Sequence, residues 1–96
     1  MDLLPKLRLI ADAWVAAHQR GGAAVTLKTL GVRAVANSKL FERRGMSVET
    51  FEAVLLWLGK PENWPGGLVP ASACEALCAL GVFVPIGHWM PETLAA

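Results

Sequence analysis

Long apolar runs are missing from this chain. Charged residues interrupt its first amphipathic stretch and Pro or Gly breaks every later one, so no segment supplies the roughly 20 apolar residues of a membrane-spanning helix. The N-terminal MDLLPKLRL carries an acid and a proline where an export signal has a basic region followed by unbroken apolar residues. A soluble, cytoplasmic protein is therefore expected. Cysteine is scarce as well: only Cys74 and Cys78 are present, and their spacing puts both sulfurs on one side of a helix rather than in a disulfide framework. With His18 and His88 they match the donor types of a tetrahedral zinc site, but the histidines lie far apart in sequence. No metal is expected, and the cysteines read as small core residues. Also lacking are a paired nucleophile and base and a phosphate-cradling glycine loop, since Gly21-Gly22 and Gly66-Gly67 read as turns. These gaps argue against an enzyme and against a cofactor.

What is present is a short, apolar chain of 96 residues, 54% of them hydrophobic, which has room for one core. That is more apolar surface than a monomer of this size comfortably buries, and a homodimer is expected. Charge is divided unevenly. Residues 1–46 hold eight basic side chains (Lys6, Arg8, Arg20, Lys28, Arg33, Lys39, Arg43, Arg44) against three acids (Asp2, Asp12, Glu42). Residues 47–96 hold Glu49, Glu52, Glu62, Glu75 and Glu92 against Lys60 alone. A basic half joined to an acidic half within a net charge of +1 is the pattern of a near-neutral protein with one polyanion-facing surface.

The elements follow from period and punctuation. Leu3, Leu7, Ile10, Trp14 and Ala17 recur at helical spacing, with Pro5 in the first turn and Gly21-Gly22 at the end. Thr26 caps a second helix reaching about Ala36, with Leu27, Leu30 and Ala34 inward. Ser38 caps a short third, Lys39 to Arg44, anchored by Phe41 and ended by Gly45. Ser47 caps a fourth, in which Met46 and Phe51 are placed as a hydrophobic staple and Phe51, Val54, Leu55 and Leu58 face the core. Gly59 and Pro61 close it. Beyond PENWPGGLVP a fifth helix spans about Pro70 to Leu80 with Cys74, Leu77 and Cys78 inward, and Val82 to Ile86 reads as a short strand or an arm laid on a partner. Of the tryptophans, Trp14, Trp57 and Trp64 are better explained by core packing than as a stacking platform for single-stranded nucleic acid.

Residues 27–46 then form two short helices joined by a tight turn, the second basic, which is the arrangement that sets a helix N-terminus in the major groove of DNA. Leu30, Ala34 and Phe41 make the seam, and Gly31 lets the two segments approach. The stretch from Thr26 to Leu58, with NSKLFERRG followed by SVETFEAVLLWL and then NWP, resembles the lambda repressor-like and Cro-like helix-turn-helix family. Val35 stands where that family often has the turn glycine.

The elements read along the chain make an all-α, five-helix domain with a short C-terminal arm, and the resemblance gives its middle three helices their roles. Residues 1–60 would be the DNA-binding part and residues 61–96 a dimerisation extension of the same domain. The resemblance also implies a repressor-like regulator whose recognition helix is Ser38 to Arg43. Lys39 and Arg43 suit guanine edges or phosphates, with Arg44 beside them. Asn37 and Ser38 suit backbone or adenine, Glu42 suits cytosine, and Lys28 and Arg33 suit phosphates. Leu77, Val82, Phe83 and Trp89 are the expected dimer contacts. The rival expectation is a helix-turn-helix fold that docks on another protein instead of DNA.

Overall fold

In the computed structural model, residues 4–42, 46–85 and 87 are described, together with the backbone of 89 and 90. Four α-helices are found there, α1 (Leu4–Arg20), α2 (Leu27–Val35), α3 (Val48–Leu58) and α4 (Ala71–Ala79), with single 3-10 turns at Leu40–Glu42, Pro61–Asn63 and Pro65–Gly67. Two-residue strands β1 (Val69–Pro70) and β2 (Trp89–Met90) pair in parallel, Val69 opposite Trp89 and Pro70 opposite Met90. The protein is mostly helical, as expected, but it does not have five helices among the described residues.

α1 is the element on which the others are assembled, and α2, α3 and α4 all pack against it. Leu7, Ile10, Ala11 and Trp14 form its buried stripe, the face that the helical period predicts, with Ala17 partly buried beyond. The helix ends where Gly21 and Gly22 fold back onto the carbonyls of His18 and Gln19, and Gly22 takes φ +90°.

α2 begins on a reciprocal cap: the Thr29 N–H donates to Thr26 Oγ1 at 3.4 Å and the Thr26 N–H donates to Thr29 Oγ1 at 3.2 Å. It stops at Ala36, which adopts the left-handed conformation at φ 54°. The Asn37 N–H then donates to the Gly31 carbonyl at 3.1 Å. A Cβ at Gly31 would collide with the Asn37 carbonyl oxygen, so the small residue is what permits the turn to fold onto the helix.

The third helix expected over Lys39 to Arg44 is not formed as far as Glu42. Asn37, not Ser38, organises this stretch: its Oδ1 accepts the Lys39 N–H at 3.0 Å, and i→i+3 bonds from Leu40 and Glu42 complete one 3-10 turn. The physical reason is reach. With Asn37 fastened to α2, the chain has three residues in which to drop a side chain into the core, and the tighter turn delivers Leu40, 3% exposed. Phe41, the expected anchor, is only half-buried. Arg43, Arg44 and Gly45 lie outside the described residues.

α3 follows its sequence signals closely. The Thr50 N–H donates to Ser47 Oγ at 3.2 Å, and Phe51, Val54, Leu55 and Leu58 are buried. Gly59 ends it with an ordinary φ of −77°, so this glycine is required for space rather than conformation: a Cβ there would strike Val82. The following loop is tied to the core by its indole and amide groups. Trp64, 2% exposed, donates from Nε1 to the Leu58 carbonyl at 2.7 Å, and Asn63 donates to the Trp57 carbonyl at 2.9 Å. Trp14 donates from Nε1 to the Asn63 carbonyl at 2.8 Å.

α4 is turned slightly from its expected setting. Ala73 and Leu77 are its buried residues, whereas Cys74 is half-buried and Cys78 exposed, because the stripe that meets α1 is Ala73–Leu77. Leu77, expected at a dimer interface, is fully buried in the chain's own core and has no surface to offer a partner. Val82 is half-buried against Gly59, and Val82 to Pro85 has no regular structure. The tail instead returns at β2 to lie beside β1 of the same chain, and the Trp89 side chain is not among the described parts.

Candidate nucleic-acid interface

The first turn of α2 contains no acid and presents Lys28 to solvent. Beside it the 3-10 turn Leu40–Glu42 and α1 enclose an open depression of about 360 Å³. Lys28, Ser38 and Glu42 border it, as sequence reasoning grouped them, and so do Thr26, Leu27 and Phe41. The remaining lining residue is Arg8, brought in from α1. Its guanidinium lies over the Phe41 ring, 5.8 Å from the centroid, and its Nε is 3.6 Å from Asp12 Oδ1. Both members of that ion pair are at least half exposed, so the pair is worth little and leaves the arginine available to another anion.

Not all the expected contact residues share this surface. Arg33 is five positions after Lys28, about 140° around the helix, and its guanidinium rests 5.7 Å from the centre of the Trp14 ring. There it covers an aromatic cluster rather than facing the depression. Trp14 meets Trp57 edge-on at 5.7 Å and His18 at 4.3 Å. Asn37 is half-buried with its side-chain oxygen engaged by the turn, Lys39 is exposed, and Arg43 and Arg44 lie outside the described residues.

Arg8 is the residue that sequence reasoning missed. A signal existed: it follows Leu7 and precedes Ala11 by three, so it flanks the buried stripe where a long side chain drapes over a neighbouring element. Which element that is depends on tertiary order, which spacing does not encode.

A second surface lies on the opposite half of the sequence. Phe83, 75% exposed, and Val84 border a groove along α4 with Ala71, Cys74, Glu75 and Cys78. Burial, then Cys78, then Glu75 push the Cys74 thiol above its ordinary pKa. Among the described residues no group of three or more His, Cys, Asp or Glu converges on a point. None of the described helices is long and apolar enough to cross a membrane. No protein-family model, characterised protein or solved structure matches the chain.

Proposed function

We propose that this chain binds duplex DNA through the surface around the start of α2 and acts as a repressor-like transcription regulator. The observation that carries the reading is the grouping of Arg8, Lys28 and Ser38 around one depression at the acid-free first turn of α2. Two cations against the single carboxylate of Glu42, with a hydroxyl and the N–H groups of a helix start, suit a phosphate of the DNA backbone. Lys39 and the sequence resemblance to helix-turn-helix proteins support the same assignment. Because residues 37–42 form a turn and not an α-helix, base reading falls to this short turn, with Lys39 and Glu42 exposed, Ser38 half-buried, and Arg43 and Arg44 next in the sequence. Phosphate contacts then supply most of the affinity.

The regulator works as a homodimer joined through the Phe83 surface, the largest exposed aromatic side chain among the described residues. A second reading, docking on another protein, is favoured by that same surface and by Val48 and Leu56, which α3 exposes beside Glu49 and Glu52. The test is binding of duplex DNA by the purified protein across a salt series. Affinity falling steeply with salt is expected, and DNA binding that is absent at low salt overturns the first reading in favour of the second.

A further inference from the structure

Two thiols on α4 are used by nothing described above. Cys74 and Cys78 are one helical turn apart, both free, and border the same groove beside the exposed Phe83. We propose that they form a two-sulfur site for a soft monovalent cation of the Cu(I) class.

The spacing decides between the bonds available to the pair. Residues four apart on a helix hold their Cβ atoms about 5–6 Å apart, whereas a disulfide requires about 3.5–4.5 Å. A direct S–S bond therefore needs α4 to unwind, and an ion placed between the sulfurs does not. The donor count decides the ion. Zn²⁺ in protein sites takes four ligands in a tetrahedron, and among the described residues no third His, Cys, Asp or Glu gathers with the two thiols. Thiolates select Cu(I), which accepts two-coordination. Ala71, Phe83 and Val84 supply the apolar part of the groove's border and Glu75 its one carboxylate, a hard oxygen donor that a soft cation passes over for the two thiolates.

Loading is a ligand exchange without electron transfer. Both thiols lose their protons, two S–Cu bonds form, and the copper remains Cu(I). The two protons leave to solvent, so affinity rises with pH.

The experiment uses the full chain, reduced and oxygen-free, titrated with Cu(I) as its acetonitrile complex in competition with the chelator bicinchoninate. The expected result is one copper per chain, an ultraviolet thiolate-to-copper band, an unchanged helical circular dichroism spectrum, and tighter binding as pH rises from about 6 to 8, towards the ordinary thiol pKa. Either Cys74→Ser or Cys78→Ser removes the binding. Cys78 is exposed, so its variant keeps the fold and decides the matter even where Cys74→Ser is unstable. Copper retained by Cys78→Ser, one copper shared between two chains, or no capture in competition with the chelator overturns the proposal.

Discussion

At the scale of single residues, the turn after α2 holds the clearest conflict between side chain and backbone. Ala36 is the only described non-glycine residue at positive φ, 54°, and a Cβ in that conformation is strained. Ala36→Gly should stabilise the protein by about 0.5–1 kcal/mol, since the relief exceeds the added freedom of the unfolded chain. Five residues earlier the sign reverses. Gly31→Ala sets a Cβ against the Asn37 carbonyl, a backbone group that cannot swing aside, and should cost about 2 kcal/mol or more. Urea denaturation of both variants checks the pair, and a stabilised Gly31→Ala would contradict the close approach seen here. Chemical reactivity offers another residue-level test. The thiolate is the reactive form, and Cys74 is half-buried with a raised pKa while Cys78 is exposed. Iodoacetamide at neutral pH should therefore label Cys78 first, as peptide mass mapping over time will show.

Elements were legible from the sequence wherever a local signal sets them. The caps at Thr26 and Ser47 and the buried face of α3 are short-range features, and they stand where the spacing puts them. Each cap satisfies an otherwise orphaned N–H, so Thr26→Ala and Ser47→Ala should each cost about 1 kcal/mol in thermal or urea unfolding. What failed was whatever depended on competition or on a neighbour. Ser38 is a good capping residue, yet Asn37 captures the Lys39 N–H first and the segment closes as a 3-10 turn. Phe41 is larger than Leu40, but the position of the turn relative to α1 decides which one drops into the core. On α4 the apolar residues encircle the helix too evenly for period alone to pick the Ala73–Leu77 stripe over the cysteine side. The basic surface was legible in part. Lys28, Ser38 and Glu42 meet as expected, whereas Arg8 joins them from α1 and Arg33 departs to cover Trp14.

For the whole molecule, the separation of charge along the chain yields a test that distinguishes position from charge. Arg8, Lys28 and Arg33 carry equal charge, and all three are exposed. A non-specific attraction between a basic half and a polyanion would treat their removal alike. The proposed interface does not, because Arg8 and Lys28 border the depression at the start of α2 and Arg33 lies about 140° away around that helix. Each phosphate contact releases roughly one condensed counterion on binding, so Arg8→Ala and Lys28→Ala should each lower the slope of log affinity against log salt by about one, for every duplex sequence alike. Arg33→Ala should leave that slope nearly unchanged. Its cost appears in stability instead, by up to about 1 kcal/mol, because the guanidinium that covers the Trp14 ring is lost. Fluorescence anisotropy with a labelled duplex at several salt concentrations, beside urea unfolding of each variant, measures both quantities. Equal slopes for the three variants would reduce the interaction to diffuse charge and remove the depression from its role. A slope lowered only by Arg33→Ala would move the interface to the side of α2 that carries the tryptophan cluster.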